Sequence, residues 1–198
     1  MFRHESIASL LNRMSVVIVN VQGPALGRGI DFCGEIMYNN KGHKTYHGGK
    51  MRIIVLEEGS AEWELTADAA EKCSWRAGKN LAQLMREGKF RDWERVFAAI
   101  ENGRTVGFCT LTRYDELPED CGYSPFIGYV FVDEVFRGHC LSGRLIDCVC
   151  HYAESIGFKT VYVCSGESGF YEKLGFRLVS SSVSTVYGTS EQLFVRSL

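Results

Sequence analysis

The chain contains no C-x-x-C pair, no long apolar run, no bank of charge of one sign, no internal repeat and no low-complexity tract. Each absence removes a class of protein. Without cysteines at zinc spacing, no metal site is expected. Val16 to Val19, the longest apolar run near the start, is far too short to cross a bilayer. No small-residue cleavage pattern marks a secretory signal, so a cytoplasmic protein without a membrane partner is expected. A formal net charge of −2, with the basic residues scattered, argues against nucleic acid as the partner. The G-x-G-x-x-G dinucleotide fingerprint is missing as well.

What is present is ordinary globular material. In 198 residues, 45% hydrophobic and 12% aromatic content supplies one domain with a sizeable core and excludes disorder and fibre. The eight cysteines fall largely within apparent strands and helices, as at Cys109, Cys148, Cys150 and Cys164, which reads as reduced, mostly buried thiols.

The chain changes character at Met51. Residues 1–50 hold scattered Gly, Asn and His, one β-branched run at Val16 to Val21 and a candidate helix at Ile7 to Met14; no fold follows from them. They are expected to be a weakly structured N-terminal extension, or a leader if translation starts at Met51. Gly48-Gly49-Lys50 can be encoded by GGAGGAAAA, which resembles a bacterial ribosome-binding site. The opposing expectation is that the Val16 to Val21 run adds an edge strand or a dimer contact.

From Met51 onward the pattern is regular. Met51 to Glu57 reads as a strand, and Thr66 or Asp68 as the cap of a helix with Asp68 and Glu71 in its first turn. A second helix is expected over Arg76 to Arg86, with Leu81, Leu84 and Met85 on one face. Trp93 to Glu101 and Thr105 to Leu111 are two strands joined by Asn102-Gly103, a dipeptide suited to a type I′ turn. After an acidic loop from Thr112 to Pro125, Phe126 to Val132 is apolar on both faces, so it belongs in the centre of a sheet. A helix from Ser142 to Ile156 stops at Gly157, Thr160 to Cys164 is a further strand, and a short helix covers Ser168 to Leu174. Arg177 to Ser181 and Gln192 to Arg196 close the sheet as antiparallel strands. Hairpins combined with one parallel crossover describe a layered α/β domain of mixed α+β type rather than a Rossmann sheet.

The most informative segment is the central strand followed by Arg137, Gly138, His139, Cys140, Leu141, Ser142 and Gly143. A buried strand that enters a basic, small-residue loop and then a helix presents free backbone N–H groups to a phosphate. A second segment, Phe170-Tyr171-Glu172-Lys173-Leu174-Gly175-Phe176, follows one helix and one strand later. Together the two resemble the GCN5-related N-acetyltransferases, the GNAT family. The first matches the acyl-CoA motif R/Q-x-x-G-x-G/A, with Cys140 and Ser142 where the family usually has Gly or a small residue; the second matches F-Y-x-x-x-G-F without gaps.

The resemblance covers roughly residues 51–181, and its implications are expectations. The fold would be a twisted mixed sheet of about six to seven strands flanked by helices. It would be splayed at the central strand so that the backbones of Val130, Phe131 and Val132 bind acyl-CoA. Acetyl-CoA would be the acyl donor, its pyrophosphate ringed by Arg137, Gly138, His139, Cys140, Leu141, Ser142 and Gly143. Tyr171 would act as general acid on the leaving thiolate. Glu167 is the first candidate for the base and Glu101 the second. The acceptor would be a primary amine, either a small molecule or a protein lysine or N-terminus. The acidic loop carrying Asp115, Glu116, Glu119 and Asp120 would attract a cationic one. A homodimer is also expected. The alternatives are a non-catalytic acyl-CoA-binding module of the same fold and transfer of another acyl group.

Overall fold

The computed structural model describes residues 35–38, 44–48 and 51–198, with side chains from Met51 onward. The Ile7 to Met14 and Val16 to Val21 segments lie outside the described residues. Among the described residues, nine strands form one sheet in the order β1-β2-β3-β4-β5-β6-β7-β9-β8. They are β1 (Glu35–Tyr38), β2 (Lys44–Gly48), β3 (Met51–Val55), β4 (Arg95–Glu101), β5 (Arg104–Thr112), β6 (Phe126–Val132), β7 (Thr160–Ser165), β8 (Arg177–Ser184) and β9 (Ser190–Ser197). Seven of them come from Met51 onward, the number expected, and two more continue the sheet beyond β3 at the edge far from β6.

Among the described residues, three helices cover the two faces. Helices α1 (Ala61–Lys72) and α2 (Ala77–Arg86) pack one face through Trp63, Ala67, Ala70, Leu81, Ala82 and Met85, against Ile54, Val96, Phe108 and Phe131. Helix α3 (Leu141–Ser155) packs the other through Leu145, Ile146, Val149 and Ala153, against Ile53, Phe97, Cys109, Leu111 and Ile127. From Phe108 to Leu111 alternate residues of β5 serve opposite faces, Phe108 facing α1 and α2 while Cys109 and Leu111 face α3, as the two-residue period of a strand requires.

One helix begins earlier than the sequence suggests. Ser60 caps α1, its Oγ accepting from the Trp63 N–H at 3.1 Å, and Glu62 and Glu64 supply the acidic first turn. Thr66 is therefore mid-helix and fully buried, sharing a hydrogen bond of 3.0 Å with Thr105. The Asn102-Gly103 turn is as expected, with φ of 50° and 77°. The segment expected to be helical from Ser168 to Leu174 narrows to a single 3₁₀ turn at Glu172–Leu174. The seven described cysteines are free, with Cys109, Cys148 and Cys150 buried. No helix among the described residues is long and apolar enough to cross a membrane.

Candidate active site

Strand β6 lies between an antiparallel neighbour, β5, and a parallel one, β7. Its pairing to β7 consists of Phe126 opposite Tyr162, reinforced by the Tyr162 N–H donating to the Pro125 carbonyl at 2.9 Å. Beyond that point the two strands part, while β7 stays fully paired to β9 on its other side. The β6 backbone from Gly128 to Val132 therefore faces an opening with no strand partner among the described residues. On the β5 side the register passes from Phe108 opposite Phe131 to Thr110 opposite Gly128. Tyr129 and Val130 thus share one partner position, Cys109, in a β-bulge. Tyr129 takes a left-handed φ of 50° there, and such conformations in bulky residues cluster where a strand must re-aim its groups.

At the C-terminal end of β6 the chain turns through Arg137 to Cys140 into α3. Gly138 and Cys140 are both left-handed, at φ 81° and 56°, and Cys140 caps α3 without any side-chain hydrogen bond. The first-turn N–H groups of α3 are thus left without a side-chain acceptor. Arg137, Gly138, His139 and Cys140 are exposed, Ser142 is half-buried and Leu141 and Gly143 are buried. Gly143 is small for a packing reason, since a Cβ there would sit 3.1 Å from Leu174 Cδ2. Arg137 ties the loop to the strand: its Nε donates to the Val132 carbonyl at 3.0 Å, its guanidinium pairs with Glu134 at 2.9 Å, and it lies over the Phe131 ring. Trp75, in the link between α1 and α2, stacks on that ring with centroids 6.4 Å apart, and Ser74 hydrogen-bonds Glu134.

Tyr171 stands across the opening. It is 6% exposed, its ring packed among Phe170, Phe176 and Phe194. Burial pushes its phenol up to about 12; a hydrogen bond with Ser165 pulls against this, and the charges of Asp115 and Glu167 add to it. The hydroxyl is consequently a proton donor throughout the neutral range. Glu167 is exposed in the turn after β7, its N–H donating to Ser165 Oγ at 3.2 Å. Glu101 lies opposite Arg104 at the hairpin, beyond the Val132 end of β6 and two strands away, and is not brought to Tyr171.

One group that sequence reasoning did not single out belongs here. A Cβ on Gly128 would lie 3.2 Å from Asp115 Oδ1 and 3.3 Å from Thr110 Oγ1. Burial, with the charge of Glu116 in support, raises the Asp115 carboxyl to about 7. Thr110 is fully buried and its hydroxyl has no hydrogen-bond partner. Asp115 had been visible only as one of four acids in a loop. Its distinction arises from the loop folding back over Gly128, which no local pattern encodes. Tyr129, whose hydroxyl accepts from Asn80 Nδ2 at 2.6 Å, is pushed up to about 12 by burial and by Asp115. The β8–β9 turn closes over this region, the Val186 N–H donating to the Glu116 carbonyl at 2.8 Å. Among the described residues no group of three or more His, Cys, Asp or Glu is placed to hold a metal ion.

Residues 92–178 match the family model of the acetyltransferase (GNAT) domain, a span that contains the whole β4 to β7 unit and both motifs. Among solved structures, an aminoglycoside 6′-acetyltransferase of type Ii superposes with a TM-score of 0.58 at 17% identity, over 73% of this chain and 96% of that one. An aminoglycoside 6′-N-acetyltransferase complexed with coenzyme A gives 0.57 at 16% identity, over 73% and 96%. A GNAT family acetyltransferase from Elizabethkingia anophelis with acetyl-CoA bound gives 0.52 at 17%, over 76% and 99%. No curated protein matches in sequence. At such identities the structures speak for the fold alone; the family match identifies residues 92–178, the stretch holding the splayed strand and its loop, as similar to the acetyltransferase (GNAT) domain.

Proposed function

We propose that this protein is an acyl-CoA-dependent N-acyltransferase that moves an acetyl group from acetyl-CoA to a primary amine by direct attack, with no covalent enzyme intermediate. The observation that carries the reading is the parting of β6 from β7 after a single residue pair, directly beside the uncapped start of α3. The two features meet two needs of one ligand. A pyrophosphate requires several N–H donors and close backbone approach, which Gly138, His139, Cys140, Leu141, Ser142 and Gly143 offer at the dipole-positive end of a 15-residue helix. An amide-bearing arm requires a strand edge, which Val130, Phe131 and Val132 offer. When bound, acetyl-CoA supplies an acyl carbon activated as a thioester.

The chain's own residues do the rest. Tyr171 reaches the opening from the α3 face and donates its O–H toward the sulfur as it leaves. With its phenol held near 12, outright proton transfer to a thiol of ordinary acidity, about 8.5, would be uphill. Its contribution is therefore a hydrogen bond that strengthens as charge builds on sulfur. Arg137 holds the loop against Val132 and Glu134 and adds positive charge near the phosphates. The amine arrives protonated, and its proton must go to a carboxylate; Asp115 and Glu167 are the two whose charge is felt at Tyr171.

Calorimetric titration with acetyl-CoA and with CoA tests this reading. Micromolar binding that weakens in Arg137→Ala is the expected result, and an absence of binding would overturn it. The non-catalytic reading rests on Cys140, a non-glycine residue in a left-handed position of the motif. It predicts binding without acyl transfer to any amine. Comparing acetyl-, propionyl- and succinyl-CoA on one acceptor fixes the acyl group, and light scattering tests the expected homodimer.

A further inference from the structure

We propose that Asp115, with the buried Thr110 hydroxyl beside it, forms the acceptor subsite for a cationic primary amine, and that the Asp115 carboxylate is the base that takes the ammonium proton. The inference rests on the N-acyltransferase reading and names the acceptor chemistry of that same site.

Three independent features converge at Gly128. First, position: Asp115 Oδ1 and Thr110 Oγ1 both lie against the face of Gly128 where a side chain would be, at 3.2 and 3.3 Å from its missing Cβ. Thr110 shares its face of β5 with Phe108, on the α1 and α2 side, whereas Tyr171 packs on the α3 side. The proposed base and proton donor thus approach the opening beside β6 from opposite faces, as attack and departure at one carbonyl require. Second, an unmet need: the Thr110 hydroxyl is fully buried without a partner, and such a group costs about 1–3 kcal/mol unless something occupies it. An ammonium N–H is a donor it can accept from. Third, unmatched charge: Glu191 stands close enough to raise Glu116, and Glu116 close enough to raise Asp115, yet none of the three is ion-paired among the described residues. The other ionisable groups felt there are Tyr129 on β6, Tyr187 in the β8–β9 turn, and Cys164 and Tyr171 on the β7 side, three phenols and a thiol with no cation among them. Every permanent charge in the group is negative. A cation is the ligand that relieves both the repulsion and the empty acceptor.

The step balances without a further reactant. One ammonium proton passes to the Asp115 carboxylate, and the freed nitrogen lone pair forms the C–N bond to the acetyl carbon. The C–S bond breaks with its electrons going to sulfur, the nitrogen sheds its second proton to solvent to leave the neutral amide, and the departing thiolate takes a proton from solvent while Tyr171 hydrogen-bonds it. Asp115 returns its proton to water after the amide leaves.

The test is acetyl transfer to 1,4-diaminobutane, kanamycin and lysine amide, followed by thiol release from pH 5 to 10, with acetyl-CoA calorimetry alongside. Wild type is expected to show an acidic limb in kcat/KM near neutrality. Asp115→Asn should lose about 100-fold or more and the limb with it, while still binding acetyl-CoA. The Glu154→Gln variant, altering an exposed acid on α3 outside the loop, should behave as wild type. Thr110→Val should fold at least as stably, because it removes an orphaned hydroxyl, and should raise the amine KM several-fold with kcat nearly unchanged; a merely structural Thr110 would leave KM alone. Persistence of the limb in Asp115→Asn, its loss in Glu167→Gln instead, or acetyl-CoA binding without turnover of any of the three amines would overturn the subsite. Failure of the wild type to bind acetyl-CoA would instead overturn the enzyme reading on which it rests.

Discussion

At its C-terminal end β6 runs into a loop whose useful groups are consecutive backbone N–H donors from Gly138 to Gly143, whereas near its N-terminal end Gly128 meets side chains drawn from other segments, Thr110 on β5 and Asp115 in the loop. The first region is exposed and conformationally specialised, with left-handed Gly138 and Cys140. The second is more enclosed, with Thr110 buried and Asp115 half-buried, and electrostatically specialised, with a carboxyl raised to about 7 and a hydroxyl lacking a partner. A phosphate can be held by a backbone that any small residues allow. A proton can be taken only by a particular side chain in a particular environment, so the two regions respond to different perturbations.

The largest expected effect is on the pH dependence of stability, and it belongs to the second region alone. A carboxyl whose pKa rises from 3.8 to about 7 on folding binds its proton more tightly in the native state. Its stabilising contribution is complete below about pH 4 and is lost as pH climbs to about 7. The full window amounts to about 4 kcal/mol. Asp115→Asn has no such proton to lose. The variant should match wild type near pH 4 and exceed it by a few kcal/mol at pH 8, as read from urea melts at both pH values. Glu116, raised in the same direction, is common to both proteins and cancels. A constant difference across pH would mean that Asp115 is solvated and the contrast between the regions is lost.

Next in size is Tyr171→Phe. The ring stays packed against Phe176 and Phe194, so folding should be nearly unaffected. Removing the proposed hydrogen bond to the departing sulfur should lower kcat by roughly 100-fold, with acetyl-CoA affinity unchanged. If affinity falls as much as kcat, Tyr171 is part of the binding surface, and the division between holding and reacting groups moves.

The contrast also explains what could be read in advance. The Arg137 to Gly143 loop, the Asn102-Gly103 hairpin and the apolar strand at Phe126 to Val132 are contiguous, and each carries its geometry in its own residue types. The start of α1 was misplaced because Thr66 and Asp68 satisfy the same local rule as Ser60, and only burial of Thr66 against Thr105 distinguishes them. The Asp115 group was not legible for a stronger reason. Its members are separated along the chain, and their meeting depends on the bulge at Tyr129 and Val130 and on a loop folding back over a glycine. Nor does spacing reveal that Glu119 and Asp120 face solvent while Asp115 turns inward.

A smaller effect separates two residues that look alike as departures from the family pattern. Cys140 is left-handed, at φ 56°, whereas Ser142 is the second residue of α3. Replacing Cys140 with Gly removes a strain of about 1 kcal/mol, while replacing Ser142 with Gly adds a cost of about 0.5–1 kcal/mol in helix entropy. Both changes restore the motif, yet thermal melts should show the first raising Tm by a few degrees and the second lowering it. Equal shifts in one direction would mean that the loop's stability follows residue size rather than backbone conformation.

The smallest effect expected is that of removing everything before Met51. Strands β1 and β2 extend the sheet beyond β3, meeting it at Tyr46 opposite Ile53, His47 opposite Arg52 and Gly48 opposite Met51. Three strands then separate that edge from β6, and the Arg137 to Gly143 loop, the bulge and the Asp115 group all come from residues after it. Acetyl-CoA affinity of a protein beginning at Met51 should therefore stay within about 2-fold of the full chain, a difference of less than about 0.5 kcal/mol. Stability is the more sensitive readout, because deleting β2 exposes the edge of β3 and its unpaired N–H and C=O groups. An unchanged melt would make the first fifty residues dispensable to the fold. A large loss in both melt and affinity would mean that the far edge of the sheet sets the curvature on which the opening at β6 depends, and the two ends of that strand could then no longer be treated as independent of the rest of the sheet.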